Sequence, residues 1–424
     1  MKTIRWEITS KCNLACKHCI VGKLQREDID LIKAKKIVDI LVKKGIREIS
    51  FTTKEPFMFN GFIELLEYCT INNIYFSIIT NGILLDEQKI KKLYELNLKY
   101  ICISLDGWVE EDNDLIRGNG TFKKIEKVLS YIQYYNKHYL KYIPVYIQTL
   151  ITRNNIKNIN QLENFYNKYP DFILSLGLIM EYGNAEKQKK IIIDDLTDYK
   201  KSIIKEVKKL KCKVYFKDSS YYETIFDNFT FGLNNKVLIP HCSIDNDYFT
   251  ILSDGRLCKC IMLLDEKINV KFQIIYSDIE EQKFEDKTNY EIIKSEYKNN
   301  SICSECEVAN NCSLCYLIIE NKELLIKQIN NCLMYKNKIN KIVEDIIFHE
   351  VKIKLNKNFV LLNNQLSIFS SDYSYENINL NTLEQRAIQS IMNNSLEKFI
   401  LENKIDCVKE TITSLIYKNI LIKK

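Results

Sequence analysis

No run of apolar residues in this chain approaches the ~20 needed to cross a bilayer. The first residues lead into a strand-like segment, TIRWEIT, rather than a charged and apolar leader. Neither a membrane span nor a secretion signal is expected, and the expected location is cytoplasmic. A basic block is missing as well. The 61 Lys and Arg and 55 Asp and Glu leave a net +6 spread along the whole length, which gives nucleic-acid binding little support. Internal repeats and low-complexity linkers are also lacking. At 46% hydrophobic residues no part reads as wholly disordered, and 424 residues suit two or three domains.

Cysteine is the residue in surplus. There are 15, and they cluster: three within residues 12–19, three within 242–260 and five within 303–332. A disulfide scaffold would be shorter and secreted. Clusters separated by long cysteine-poor stretches fit metal ligation better. The remaining four, Cys69, Cys102, Cys212 and Cys407, sit in apolar periodic segments and read as core residues.

From residue 3 to about 180, short apolar runs alternate with amphipathic ones. Strands are expected at Thr3–Thr9, Glu48–Thr53, Tyr75–Thr80, Tyr100–Leu105, Val145–Ile151 and Ile173–Ile179. Helices are expected at Asp30–Lys44, Phe62–Asn72, Glu87–Glu95, Phe122–Lys137 and Asn158–Lys168. Six such alternations predict an α/β fold, a parallel sheet covered by helices. They are too few for a closed eight-stranded barrel, so a partial, open (β/α)6 barrel is expected, with its chemistry at the C-terminal strand ends. The expected domains are 1–184 for this barrel, 185–235 for a helical bridge, 236–348 for a small cysteine-rich domain stabilised by metal, and 349–424 for a last module. That small domain includes a short strand near Tyr248–Leu252 and a helix at Lys336–Phe348. The last module reads as three strands (Val351–Leu355, Phe359–Leu362, Leu366–Phe369) and three helices (Thr382–Met392, Leu396–Glu402, Cys407–Lys418), a winged-helix-like plan.

The first cysteine cluster, ITSKCNLACKHC, follows the first strand. Cys12, Cys16 and Cys19, spaced C-x3-C-x2-C, put three thiolates in one loop. Three thiolates can hold three irons of a [4Fe–4S] cluster and leave the fourth without a protein ligand. A zinc site would want a fourth donor, and His18 is the local candidate. The spacing resembles that of the radical S-adenosylmethionine (SAM) superfamily, in which the open iron chelates SAM. Glu55 and Pro56 stand where that family carries Gly-Gly-Glu-Pro, with Thr53 and Lys54 replacing the two glycines. The resemblance gives Glu55 the SAM ammonium. It also assigns ITNG (Ile79–Gly82, with Asn81), ISLDG (Ile103–Gly107, with Ser104) and Arg117 to the SAM ribose and carboxylate. Ordinary strand-end turn chemistry is the alternative for each.

HCSIDNDYFTILSDGRLCKC and CSECEVANNCSLC resemble the SPASM extension of that superfamily, which holds two auxiliary [4Fe–4S] clusters. By that resemblance Cys303, Cys306, Cys312 and Cys332 hold the outer cluster. Cys242, Cys260 and Cys315 hold the inner one, with Cys258 available as a fourth ligand. A zinc ribbon is the alternative for Cys303–Cys315. Two residues rather than the family's three separate Cys312 from Cys315. The last module resembles PqqD-like domains that bind a leader peptide as an added strand, and a winged-helix DNA binder is its alternative.

Together these resemblances imply an oxidoreductase-type radical SAM peptide maturase using SAM and three [4Fe–4S] clusters. Its partners would be a ribosomally made precursor peptide with a leader and an electron donor such as flavodoxin or ferredoxin. The implied reaction is thioether formation from cysteine through a 5′-deoxyadenosyl radical. Alternatives are a carbon–carbon crosslink, a sulfatase-maturing reaction and a non-catalytic iron–sulfur scaffold. The sulfatase-maturing base, an Asp, is Ile261 here.

Overall fold

Burial alternates strictly along the strand VYIQTLI, where Val145, Ile147, Thr149 and Ile151 are buried and Tyr146, Gln148 and Leu150 are half-buried. A parallel strand buried on both faces would be apolar throughout, so one face of this sheet is polar. The computed structural model describes residues 3–22, 26–179, 181–193, 197–210, 214–217, 229–230, 249–258, 260–261, 275–276, 279, 306, 322–348, 353–355, 359–362, 365–369, 375–377, 380–393, 395–418 and 421–423. The chain divides into two units, residues 1–217 with 241–301 and residues 218–240 with 302–424.

The first unit is built on β1 (Thr3–Trp6), β2 (Glu48–Phe51), β3 (Tyr75–Thr80), β4 (Leu98–Ser104), β5 (Val145–Ile151), β6 (Ile173–Leu178) and β7 (Val214–Lys217). These seven are parallel neighbours in chain order. The sequence had suggested six strands and a helical bridge over 185–235. That stretch carries helix α7 (Thr197–Val207) and also β7, which pairs with β6. At the other edge, β8 (Thr250–Ile251) runs parallel to β1, with β9 (Leu257–Cys258) and β10 (Ile275–Tyr276) antiparallel beyond it.

The helices cover one face. They are α1 (Leu31–Lys43), α2 (Phe62–Ile71), α3 (Glu87–Tyr94), α4 (Glu110–Arg117), α5 (Thr121–His138), α6 (Leu162–Lys168) and α7. Asp30 caps α1 by accepting the Lys33 N–H at 2.7 Å, and Ala34, Ile37, Val38 and Leu41 form its buried stripe. Phe51 stacks edge-on against Phe62 of α2 and Phe76 of β3, which marks the helix-covered face. On the other face the register sets Ser50 beside Ser77, and Gln148 between Ser104 and Ser175. α4 escapes sequence reading because its buried residues are Asp112, Asn113, Ile116 and Arg117, a polar set with no apolar period.

The second unit packs Tyr335, Ile339, Val343 and Ile346 of α8 (Lys322–Ile347) in one core with Val408, Ile412 and Leu415 of a later helix, α11 (Ile405–Tyr417). Between them lie β11 (Ile353–Leu355), β12 (Phe359–Leu362), β13 (Gln365–Phe369), β14 (Tyr375–Asn377), α9 (Thr382–Met392) and α10 (Leu396–Glu402). The strands β12, β13 and β14 form an antiparallel meander. The chain then returns through β15 (Leu421–Lys423), which pairs antiparallel with β11. Among the described residues no helix is long and apolar enough to cross a membrane.

Glu384 ties this unit together from full burial. Its carboxylate accepts from the Asn381 N–H at 2.8 Å, from Ser414 Oγ at 2.5 Å and from Lys418 Nζ at 2.6 and 2.8 Å. Burial alone would raise its pKa, but Lys418 and Ser414 hold it below the usual carboxylate range. Glu384→Ala is expected to lower the unit's stability by about 3 kcal/mol. A depressed carboxyl stabilises above its unfolded value of ~4.3 and loses that contribution as pH falls through the folded one. Denaturant melts at neutral pH and near pH ~3 should therefore show the gap between wild type and Glu384→Gln closing on acidification.

Candidate active site

Six strand ends carry the loops that build the site, and the cysteine loop after β1 lies at its centre. Asp28 closes the neck of that loop, accepting Thr9 Oγ1 at 2.6 Å and the Ser10 N–H at 2.8 Å. Cys12 is exposed, Cys16 and Cys19 are half-buried, and all three are free thiols. The Cys19 N–H donates to the Cys16 carbonyl at 3.2 Å, so the last two cysteines share one tight turn.

Neighbouring loops hold this one by its backbone. The Lys17 N–H donates to the carbonyl of Ile116 in α4 at 3.0 Å. From beyond β6, Asn184 donates its N–H to the Cys19 carbonyl and Nδ2 to the Cys16 carbonyl, both at 3.0 Å. Gly183 makes that approach possible. A Cβ there would lie 2.4 Å from the Ile20 carbonyl oxygen and 2.7 Å from that of Cys19. Lys54 Nζ donates to the Gly22 carbonyl at 2.9 Å, and the Glu55 N–H to the Lys11 carbonyl at 3.2 Å.

Two side chains address the sulfurs directly. Asn81 Nδ2 lies 3.9 Å from Cys12 Sγ and donates to Asn13 Oδ1 at 2.8 Å. Arg117 Nη1 lies 4.0 Å from Cys16 Sγ. Burial pushes the Cys16 thiol up to about 11, against the pull of Arg117, so forming a thiolate–iron bond there releases a proton at neutral pH.

Glu55 is only 1% exposed, and both its oxygens face inward. It accepts from Thr80 Oγ1 at 2.7 Å, the Asn81 N–H at 2.8 Å and the Phe57 N–H at 3.2 Å. Burial pushes its carboxyl up, while these donors and Arg117 oppose the shift. The structure thus places Glu55 as a strut between the loops after β2 and β3. Ser104 is the half-buried last residue of β4. Arg117 is committed to an ion pair with Asp106, Nε to Oδ2 at 2.6 Å.

Thr53 adopts a backbone that favours glycine, with φ at +91°. A β-branched residue in that region is strained by about 1–3 kcal/mol, and glycine there gives back about 0.5–1 in unfolded-chain entropy. Thr53→Gly is therefore expected to raise the first unit's stability by about 1 kcal/mol, read as a higher denaturation midpoint.

Lys54, Asp106, Asn184 and His18 as an Asp106 partner were not reached from the sequence. The Asp of ISLDG was the available signal. The auxiliary cysteines are only partly described. Cys258 is fully buried in β9, where burial pushes its thiol up to about 12, and Cys260 is half-buried. Cys306 and Cys332 belong to the second unit, Cys332 within α8. Cys242, Cys303, Cys312 and Cys315 lie outside the described residues.

A parallel sheet whose strand ends gather free thiols beside a guanidinium and a carboxamide defines an α/β domain suited to a thiolate-bound metal group. Residues 6–155 match the profile of the Radical SAM superfamily. Mycofactocin maturase MftC of Mycobacterium tuberculosis is 29% identical over 168 residues, 39% of this chain and 42% of that protein. Fe-coproporphyrin III synthase of Methanosarcina barkeri is 36% identical over 116 residues, 27% of this chain and 29% of that protein. The chain thus spans under half the length of these curated relatives. The structure of Streptococcus suis SuiB bound to SAM superposes with a TM-score of 0.59 at 18% identity, covering 76% of this chain and 74% of that one. That likeness establishes the shared fold.

The group this family implies, a [4Fe–4S] cluster with SAM on its open iron, fits the residues present. Among the described residues no three His, Cys, Asp or Glu side chains are gathered to hold one metal ion. A cluster instead takes one thiolate per iron, around a larger body, with N–H donors beside the sulfurs. Cys12, Cys16 and Cys19, with Asn81 and Arg117 alongside, supply that set.

Proposed function

We propose that the protein is a radical SAM enzyme that modifies a ribosomally made precursor peptide, forming a thioether from cysteine. The observation that carries the reading is the C-x3-C-x2-C loop, pinned to the neighbouring strand ends through its backbone. When bound, the cluster and SAM supply a 5′-deoxyadenosyl radical able to remove a substrate hydrogen. The chain's own residues position and enclose that chemistry. Cys12, Cys16 and Cys19 hold the cluster, while Asn81, Ser104 and Arg117 line the SAM side and Glu55 holds the loop after β3 in place.

Names among the similar proteins support a peptide substrate. MftC is a maturase, and SuiB has a structure bound to its precursor peptide SuiA. In this reading residues 1–184 are the radical SAM barrel, 185–235 a bridge and 236–348 a SPASM domain. There Cys303, Cys306, Cys312 and Cys332 hold one auxiliary cluster, and Cys242, Cys260 and Cys315, with Cys258, the other. Residues 349–424 recognise the leader, and flavodoxin or ferredoxin supplies electrons. The match to Fe-coproporphyrin III synthase supports a second reading, the same radical aimed at a porphyrin-like substrate.

The test incubates reduced, reconstituted protein with SAM, a leader-bearing cysteine peptide or a porphyrin, and measures 5′-deoxyadenosine and substrate mass. A peptide two hydrogens lighter is expected. No 5′-deoxyadenosine would sink the enzyme reading, and turnover of the porphyrin alone would replace the peptide. Removing residues 351–424 is expected to weaken leader binding at least about tenfold, ~1.4 kcal/mol, while sparing uncoupled SAM cleavage. Unchanged affinity would remove the recognition role.

A further inference from the structure

A fully buried carboxylate stands behind the cysteine loop with no role in the chemistry proposed above. Asp106, just past β4, is 0% exposed. His18, between Cys16 and Cys19, reaches it with Nε2 at 2.5 Å from Oδ2. Arg117, at the end of α4, pairs with the same oxygen through Nε at 2.6 Å and extends Nη1 to within 4.0 Å of Cys16 Sγ. Its other oxygen accepts the Leu150 N–H at 3.0 Å. The main chain is fixed too, since the Asp106 N–H donates to Asn113 Oδ1 at 3.1 Å and Asn155 Nδ2 donates to the Asp106 carbonyl at 3.0 Å. Gly107 allows α4 to come this near, because a Cβ there would sit 2.5 Å from that of Asp112.

We propose that Asp106 is the positioning residue of the Cys16 ligand: it grips the loop through His18 and, through Arg117, sets how much positive charge faces the Cys16 sulfur. The inference rests on the cluster reading above. One-electron reduction of a thiolate-bound cluster adds negative charge, which a nearby guanidinium favours and a nearby carboxylate opposes. Arg117 is 8% exposed and Asp106 fully buried, so water screens neither effectively.

Two substitutions should therefore move the cluster's midpoint in opposite directions. Arg117→Gln is expected to shift the equilibrium toward the oxidised cluster about tenfold, ~59 mV for one electron. Asp106→Asn retains an acceptor for the Leu150 N–H and is expected to shift it toward the reduced cluster by a similar factor. Arg117→Lys keeps the charge and should stay within about threefold of wild type.

The measurement is an EPR-monitored redox titration of full-length reconstituted protein without SAM, on the signal that Cys16→Ala removes. A merely structural role would lower iron loading while leaving the midpoint of the remaining clusters unmoved. Unchanged midpoints, or shifts of one sign for both variants, would overturn the assignment. If Asp106→Asn does not fold, Arg117→Gln against Arg117→Lys decides alone. Wild-type protein without that signal would overturn the cluster reading together with this one.

Discussion

Cys16→Ala is expected to abolish SAM cleavage and to strip the N-terminal loop of its cluster. Cys16 lies deeper in the loop than the exposed Cys12, with the Arg117 guanidinium beside its sulfur. With two thiolates left, the cluster loses the ligand closest to its buried counter-charge, and loop-bound iron should fall from about four atoms to near none. Iron analysis with 5′-deoxyadenosine measurement checks this. Cys69→Ala is the control, because Cys69 is fully buried in α2 and packed in the apolar core. That change should cost about 1–2 kcal/mol of stability and leave iron content alone. Cleavage surviving in Cys16→Ala would refute ligation by the loop.

Glu55→Ala is expected to cost the first unit about 3–5 kcal/mol, the largest stability effect anticipated from one substitution here. The change leaves three donors facing a cavity: the Thr80 hydroxyl and the Asn81 and Phe57 N–H groups. Glu55→Gln should cost less, since the Thr80 hydroxyl can rotate and its amide oxygen still accepts. A second consequence separates strut from ligand. If Glu55 acts by holding Asn81 beside Cys12, both variants should weaken retention of loop iron against a chelator in the absence of SAM. Chelator resistance equal to wild type would limit Glu55 to the SAM contact that the resemblance implies.

Strand positions in the first unit were legible because period and length agreed there. Tyr75–Thr80 and Val145–Ile151 were read with their observed bounds. Strands β1 and β2 end sooner than expected, at Trp6 and Phe51, with the Glu7 and Thr52 N–H groups making the last ladder bonds, to the Ile251 and Trp6 carbonyls. The acidic segment Glu110–Arg117 gave no helical signal, because its buried face serves a polar network instead of a core. VYFK at Val214–Lys217 was too short to stand out as β7. Among the last residues, Leu421–Lys423 reads as a tail until its pairing with Ile353–Leu355 is seen.

Within the site, the cysteines and motif turns could be read because their chemistry depends on spacing along the chain. The clamp made by Lys54, Asp106, Asn184 and His18 could not, because its members meet only through separate strand ends. Lys54 looked like a departure from Gly-Gly and proves to hold the carbonyl of Gly22. Thr53, the other replacement in that turn, sits at a positive φ that favours glycine.

The pairing of β8 with β1 also has a bearing on biosynthesis. Arg5 and Trp6 find their neighbours Thr250 and Ile251 only after most of the chain up to residue 251 has been made. At ~5–20 residues per second the ribosome needs roughly 12–50 s to get there. Through that interval the strand leading into the cysteine loop has one open edge, even after β2 has joined it. A nascent chain stalled before residue 250 would present a bare strand next to three free thiols. Iron delivery and edge protection would then fall within the same window of translation.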